Sequence, residues 1–143
     1  MNISDNGLSL IEQFESLKFK AYKDIRGILT IGYGHTGSDV TDGLIISKNQ
    51  AEILLKNDAQ VTVQTINRLV KVVLNQNQFD ALCSFIFNVG SGNFASSTML
   101  KLINQSNFTD AANEFPKWDK AAGTIVQGLL NRRLKEQELF NSP

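Results

Sequence analysis

The stretch from Asn75 to Val89 limits the possible folds of this chain more than any other part of it. Asn75 followed by Gln78 is a capping box, which predicts the start of a helix. Apolar side chains cover almost every side of that helix: Phe79, Leu82, Cys83, Phe85, Ile86 and Phe87. A helix that is apolar all round must be enclosed by other elements. The chain is therefore predicted to build a helical core around this segment, with Cys83 as a buried thiol.

Further helices are predicted on both sides of the central one. Ser4 or Asp5 can cap the first, and Ser47 with Gln50 forms a second capping box. The predicted helices cover residues 4–15, 48–66, 97–104, 109–115 and 129–140. Three breaks are expected: the central helix stops at residues 90–92, the helix over 109–115 stops at Pro116, and residues 123–128 form a loop.

Residues 17–35 follow a different pattern. Apolar and polar residues alternate loosely there, and glycines interrupt the alternation at Gly27, Gly32 and Gly34. This pattern indicates twisted strands of a β-hairpin. The predicted fold class is therefore α+β, with a small hairpin-bearing lobe over roughly 1–58 and a larger all-helical lobe over roughly 59–143. The two lobes form one domain, with a long helix between them and a cleft that suits a polymer.

The composition excludes several classes of protein. A chain of 143 residues, 42% apolar and 20% charged, can bury a core of its own. Its 14 basic and 14 acidic residues cancel, so nucleic acid is not an expected partner. One Cys and one His leave too few ligands for a zinc site, and no cofactor is expected. No stretch has the roughly 20 apolar residues of a membrane span, and residues 1–15 lack the pattern of a signal peptide.

Glu15, Asp24 and Thr30 suggest a chemistry. Glu15 follows Phe14 at the end of the first helix, where partial burial favours the protonated form of a carboxyl group, and such a glutamate can protonate a leaving oxygen. Asp24 lies beside Arg26 at a turn and is expected to stay ionised, while the Thr30 hydroxyl can help to hold a water. Two carboxylates and a hydroxyl around one cleft suit hydrolysis of a glycosidic bond. The same residues would also fit a helix end, a turn and a strand with no catalytic role.

Two other positions near this segment are candidates for supporting roles. Gly32 and Gly34 would let the backbone approach a sugar ring, and Tyr33 offers a ring face and a hydroxyl. A tight hairpin with a half-buried tyrosine is an equally good interpretation. His35, the only histidine, is expected to be a buried structural residue more readily than a catalytic one.

The last predicted helix contains two neighbouring arginines. Arg132 and Glu136 have the i,i+4 spacing of a solvated surface pair. Arg133 lies on the same side as Phe140, which is the side more suited to packing. Arg133 is therefore predicted to reach Glu15 and to hold it in place.

The whole chain resembles the phage-type lysozymes, glycoside hydrolase family 24. The matching segments are ESLKFKAYKDIRGILTIGYGHTG, LNQNQFDALCSFIFNVGSGNFASSTML and GLLNRRLKEQELF, in that order along nearly the full length. The first is specific to the family, and the other two mark its lambdoid branch. The chain departs from the family at Glu15-Ser16, where a glycine often follows the glutamate, and in the segment from Trp118 to Arg133.

The resemblance implies a lysozyme-like fold and a muramidase that hydrolyses the β-1,4 bond between N-acetylmuramic acid and N-acetylglucosamine in peptidoglycan. It implies Glu15 as the general acid, Asp24 as the carboxylate that works with the water, and Thr30 as the third partner. Inversion at the anomeric carbon is implied as well, with carboxyl groups about 6.5–9.5 Å apart.

By the same matching, Thr36, Phe87 and Ser97 fall where family members touch the glycan, beside Tyr33 of the glycine-rich segment. A monomer is the default expectation. Because no signal-anchor is recognised at the N-terminus, the protein is expected to collect in the host cytoplasm until a separate holin forms a pore. It would then act on the cell wall in the periplasm.

Two alternatives stay open. A lytic transglycosylase needs the glutamate but no aspartate that positions water, so the presence of Asp24 and Thr30 argues against it. A non-catalytic relative would bind glycan without cutting it, and the complete set of three residues disfavours that alternative.

Overall fold

A computed structural model describes residues 1–143. It contains seven α-helices, five short strands and one 3-10 turn. The helices are α1 (Asp5–Phe14), α2 (Lys48–Leu69), α3 (Gln76–Val89), α4 (Ser91–Ala95), α5 (Thr98–Asn104), α6 (Phe108–Ala112) and α7 (Gln127–Phe140). The strands are β1 (Lys18–Lys23), β2 (Leu29–Gly32), β3 (His35–Thr36), β4 (Lys120–Ala121) and β5 (Thr124–Ile125), and the 3-10 turn is Phe115–Lys117. The predicted α+β class is confirmed.

Side-chain caps set the starts of the main helices. The Ser4 hydroxyl accepts a hydrogen bond from the backbone of the first turn of α1. Ser47 and Asn75 each take part in a capping box, so α2 and α3 begin where the sequence predicts. The first helix ends one residue earlier than predicted, because Glu15 is its C-cap and already has an extended backbone. Glu15 therefore lies where α1 turns into β1.

The predicted hairpin is confirmed and is extended by a third short strand. β1 pairs antiparallel with β2, with Tyr22 opposite Thr30, and β2 pairs antiparallel with β3, with Thr30 opposite Thr36. The turn between β1 and β2 contains Gly27 at φ +79°, a conformation that costs glycine little. Thr30 thus occupies the middle strand of the sheet and is paired on both sides.

Helix α3 is the centre of the core, as predicted. Every residue from Phe79 to Ile86 is buried, and α1, α2 and α7 pack around the helix. Phe85 has an edge-to-face arrangement with three aromatic rings, those of Phe94, Phe115 and Trp118. Helix α2 contacts β2 and β3 of the sheet and also α3 and α4. The division into lobes at about residue 58 stays a prediction.

The predicted end of the central helix at Gly90 (φ +93°) is confirmed, and the chain then forms α4, a helix that the sequence pattern does not indicate, whose buried Phe94 packs into the core. Two other local predictions were wrong. Helix α6 ends at Ala112, and Pro116 lies inside the 3-10 turn instead of ending a helix. The predicted loop over 123–128 is replaced by the β4–β5 hairpin, its turn formed by two residues with positive φ, and by the start of α7. Strands of two residues are too short to give an alternating pattern.

Cys83 lies in the middle of α3 with no exposed surface, so its predicted burial is confirmed. Burial raises the pKa of the thiol to about 12. Because the thiolate is the reactive form, we expect a maleimide reagent at neutral pH to label native protein only as fast as the protein unfolds. Protein unfolded in urea serves as the control and should be labelled at once. Rapid labelling of the native protein would contradict this description of α3.

No helix is both long and apolar enough to pass through a membrane.

Candidate active site

Glu15 lies between the end of α1, the β2–β3 turn and helix α7. Its Oε1 atom accepts a hydrogen bond of 2.8 Å from Nη1 of Arg132, and its side chain is 24% exposed. On its other side, a Cβ atom placed on Gly34 would lie 3.8 Å from Glu15 Oε2. One carboxylate oxygen is therefore fixed by an arginine, while the other faces the glycine of the turn.

Gly34 is suited to this position for two reasons. Its φ of +82° is a conformation that residues with a side chain rarely adopt. A larger residue would also project side-chain atoms toward Glu15 Oε2. The glycine keeps space open beside the carboxylate, which a substrate oxygen would need in order to receive a proton from it.

Asp24 is held at the end of β1 by hydrogen bonds to its ionised form. Its Oδ1 atom accepts from the backbone N–H of Ile28 at 3.0 Å and of Arg26 at 2.8 Å, and Oδ2 accepts from the Arg26 guanidinium at 3.1 Å. These bonds, the one from Ile28 first, lower the pKa of Asp24. Asp24 is thus ionised at neutral pH, as the sequence predicts.

Thr30 is linked to Asp24 through the peptide groups of Ile28. The Thr30 hydroxyl donates to the carbonyl oxygen of Ile28 at 3.0 Å, and the backbone N–H of Asp24 donates to the same carbonyl oxygen at 3.0 Å. Only 4% of Thr30 is exposed. With its proton engaged, the hydroxyl oxygen can accept a hydrogen bond from a water. The hairpin therefore brings Asp24 and Thr30 to one place.

The prediction that Arg133 reaches Glu15 is wrong, because Arg132 makes this contact. Successive residues of a helix differ by about 100° in direction. Arg133 therefore points within about 20° of Phe140, into the core, whereas Arg132 points about 80° to one side of it. Arg132 therefore reaches the boundary of the core, where Glu15 lies, whereas Arg133 does not.

The predicted surface pair of Arg132 and Glu136 is also wrong. Both side chains are buried, with 4% and 0% of their surfaces exposed, and Arg132 Nε lies 3.3 Å from Glu136 Oε2. Arg133 is fully buried and its Nε atom lies 2.7 Å from Glu136 Oε1. Burial raises the pKa of Glu136, and the two guanidinium groups oppose that rise. The last helix thus carries a charged cluster inside the protein.

His35, on β3, lies between the carboxylates of two residues from other elements. Its Nδ1 atom is 2.7 Å from Asp58 on α2, and its Nε2 atom is 2.9 Å from Asp39 in the following loop. Burial disfavours the charged imidazole, but hydrogen bonds to the two carboxylates outweigh burial and raise the pKa of His35. His35 thereby joins the sheet, the loop and the long helix, and it makes no hydrogen bond to Glu15 or Asp24.

This arrangement predicts a pH-dependent contribution of His35 to stability. We expect His35→Gln to lower the free energy of unfolding by about 1–2 kcal/mol at about pH 5.5, because charged His35 bonds two carboxylates. Since the pKa is raised in the folded state, the contribution is complete below the unfolded pKa of about 6.5. It is lost as the pH rises through the higher folded pKa. Urea unfolding of both proteins at about pH 5.5 and pH 9 measures this, and an equal difference at the two pH values would contradict it.

The predicted glycan-contacting residues occupy different environments. Tyr33 is 6% exposed, so little of its ring is available. Thr36 is exposed on β3, and Phe87 is half-buried against the core near the end of α3. The Ser97 hydroxyl caps α5, accepting from the Leu100 N–H at 3.1 Å and donating to the Phe94 carbonyl at 2.7 Å. Contacts of these four residues with a glycan stay predictions.

The structure adds no sign of a metal centre or an enclosed substrate chamber. Side chains of His, Cys, Asp and Glu do not gather in groups of three or more that could hold a metal ion. Five surface cavities of about 220–450 Å³ are lined by residues other than Glu15, Asp24 and Thr30. The cleft between the lobes therefore stays a prediction.

The position of Arg132 beside Glu15 is not indicated by the sequence pattern of the last helix. Phe140, Glu136 and Arg132 follow one another at steps of four residues, which places the two charges on a stripe that leads away from a buried ring. That spacing could have indicated burial, but an i,i+4 pair of opposite charges is far more common on a surface. The two partners of His35 had no recognisable signal, since they come from separate elements.

Comparison with known proteins identifies the family. The sequence profile described as Phage lysozyme matches residues 12–136. The chain is 47% identical to the endolysin of Salmonella phage P22, with 99% of each covered, and 50% identical to the endolysin of Bacillus phage PZA, of which it spans 56%. The two Bacillus phage endolysins that it matches are thus nearly twice its length. Its fold matches a crystal structure of a P22 lysozyme variant with a TM-score of 0.93, at 46% identity and 99% coverage of both chains. The chain belongs to the phage lysozyme family.

Proposed function

We propose that this protein is a muramidase that hydrolyses the β-1,4 bond between N-acetylmuramic acid and N-acetylglucosamine in peptidoglycan. The observation that carries the proposal is the contrast between its two carboxyl groups. Glu15 is partly buried, held by one arginine and open on the side of Gly34. Asp24 accepts two backbone hydrogen bonds and two from the Arg26 guanidinium, which keep it ionised. A pair of carboxyl groups in different environments is what acid-assisted hydrolysis of a glycoside uses.

In the proposed mechanism Glu15 gives its proton to the oxygen that leaves the muramic acid. Asp24, with the Thr30 oxygen, orients a water and accepts a proton from it as the water attacks the anomeric carbon on the opposite face. The product would have inverted configuration, and the two carboxyl groups would stand about 6.5–9.5 Å apart to leave room for the water. No cofactor takes part in these steps.

The glycan is proposed to run past Tyr33, Thr36, Phe87 and Ser97. Thr36 is the residue of this set with the most exposed position, and it lies opposite Thr30 in the sheet. The hydroxyl of Ser97 is already used to cap α5, so any contact with a sugar would use its remaining acceptor capacity.

The biological setting is also a proposal. By similarity to proteins named endolysins, the chain would degrade the host cell wall at the end of a phage infection, and a separate holin would give it access to the wall. It would act as a single domain and as a monomer, reaching the periplasm from the cytoplasm. The two longer Bacillus phage relatives are only half covered, so their remaining parts say nothing about this chain.

The alternative function is binding of glycan without cleavage. Adding the protein to purified peptidoglycan distinguishes this alternative from the proposed hydrolysis. We expect the suspension to clear and soluble muropeptides to appear. The control is the protein unfolded by heat, which should leave the turbidity unchanged. Binding to the sediment without release of soluble fragments would contradict the muramidase proposal and support a non-catalytic relative.

A further inference from the structure

The arginine that contacts Glu15 is itself held by groups that lie deeper in the protein. The Arg132 guanidinium has a partner on each of its three sides. Nη1 donates to Glu15 at 2.8 Å, Nη2 donates to the carbonyl oxygen of Ser84 at 3.0 Å, and Nε lies 3.3 Å from Glu136 Oε2. Two of these partners, on α3 and α7, are fully buried. The position of Nη1 beside Glu15 is therefore set from inside the core.

Glu136 is the centre of this buried arrangement. Its Oε2 atom accepts a hydrogen bond of 2.6 Å from the Ser84 hydroxyl. Arg133 lies against the same carboxylate: its Nη2 atom donates a hydrogen bond of 3.3 Å to Oε2, and its Nε atom lies 2.7 Å from Oε1 as a charge contact without hydrogen-bond geometry. Its remaining guanidinium surface lies over the Phe85 ring, 5.0 Å from the centroid. Burial raises the pKa of the Glu136 carboxyl group, and the donors around it, the two guanidinium groups and the Ser84 hydroxyl, oppose that rise.

The charges of this cluster do not cancel. Arg132 and Arg133 supply two positive charges and Glu136 supplies one negative charge, so one positive charge remains and faces Glu15. Of the charged residues on the elements that pack against α7, Asp80 on α3 accepts a hydrogen bond from the Ser4 N–H at the start of α1, and Lys117 of the 3-10 turn pairs with Glu114. In a buried setting an uncompensated charge acts strongly on its neighbours.

We propose that Glu136, supported by the Ser84 hydroxyl, is a positioning residue that holds Arg132 against Glu15 and limits the positive charge that Glu15 experiences. This inference rests on the proposed function, in which Glu15 must carry a proton before the reaction and becomes a carboxylate as it gives the proton away. One neighbouring positive charge assists that change. A second would hold Glu15 in its ionised form and remove the acid before it can act.

The test compares Glu136→Gln with Glu138→Gln in the hydrolysis of soluble peptidoglycan fragments. The first substitution keeps the size of the side chain and an acceptor for the Ser84 hydroxyl while removing the charge. Glu138 lies on the same helix with 73% of its side chain exposed, so the matched change there controls for net charge. We expect Glu136→Gln to lower kcat at least tenfold at pH 7 with KM within twofold. The deficit should shrink as the pH falls, because acid restores the proton on Glu15. Glu138→Gln should behave as wild type.

Two outcomes overturn the inference while leaving the proposed function intact: a folded Glu136→Gln protein with wild-type kinetics, or a deficit that is the same at every pH. If Glu136→Gln does not fold, Ser84→Ala tests the inference in its place, because this substitution removes one hydroxyl and keeps every charge. We expect it to lower kcat twofold to fivefold with the same dependence on pH, and wild-type kinetics would overturn the inference. Absence of hydrolysis by the wild-type protein would instead overturn the proposed function itself.

Discussion

We expect Glu15→Gln to lower kcat by about 10²–10⁴-fold, the range for loss of a general acid, while the protein stays folded. Glutamine has nearly the same shape and can still accept the hydrogen bond from Arg132 at this position. It cannot donate a proton to a leaving sugar oxygen. Because Arg132 keeps its other contacts, with Ser84 and Glu136, the position of its guanidinium group should change little. The measurement is the initial rate of release of soluble muropeptides, with circular dichroism as the check on folding.

Glu12→Gln is the matched control for this change. Glu12 lies one turn earlier on α1, is partly buried, and its pKa is raised by burial and by Glu52 on the neighbouring helix. The substitution is chemically identical and lies on the same helix, but Glu12 has no place in the proposed reaction. We expect its rate to stay within about twofold of wild type. If both variants lose activity equally, the loss at Glu15 would not identify a general acid.

We expect Phe85→Ala to lower the free energy of unfolding by about 3–5 kcal/mol. Phe85 is fully buried and is the ring against which three other aromatic rings and the Arg133 guanidinium pack. Truncation would remove these contacts and leave a cavity in a part of the core built from rigid rings. Most domains have only about 5–15 kcal/mol of stability in total, so the variant should unfold at much lower urea concentration.

Phe19→Ala is the control for Phe85→Ala. Phe19 lies on β1 with 48% of its surface exposed, and its backbone carbonyl accepts a hydrogen bond from the Ile46 N–H, which the substitution keeps. We expect a change within about 0.5 kcal/mol, as for other surface substitutions. Equal losses at the two positions, measured by urea unfolding, would contradict the assignment of the core to the rings around Phe85.

The parts of the fold with local signals could be predicted from the sequence. The capping boxes at Ser47 and Asn75 fix the starts of α2 and α3 because a cap bonds residues only three positions away. The central place of α3 could be predicted because its signal is also local: the apolar residues that cover all sides of the helix lie within one short segment. Thr30 and Asp24 also come together locally, through the turn at Ile28.

The surroundings of Glu15 could not be predicted in the same way. Arg132 lies 117 residues from Glu15 in the sequence, and it differs from Arg133 only by one step of about 100° around α7. The choice between the two arginines depends on how α7 packs against α1 and α3, which no pattern in the last helix records. Charged residues are rarely buried unless they are paired. Glu136 and both arginines therefore give the last helix the sequence pattern of a surface helix, and only their partners in the folded protein show that they are buried.

In the proposed reaction, Glu15, Asp24 and Thr30 add water across a glycosidic bond. The most direct test is mass spectrometry of the ends that the wild-type protein releases from purified peptidoglycan in water enriched in ¹⁸O. Hydrolysis predicts reducing muramic acid ends that carry the label. A lytic transglycosylase would use no water and would release unlabelled anhydro-muramic acid ends. Labelled reducing ends are the expected result, and anhydro ends would contradict the roles assigned to Asp24 and Thr30.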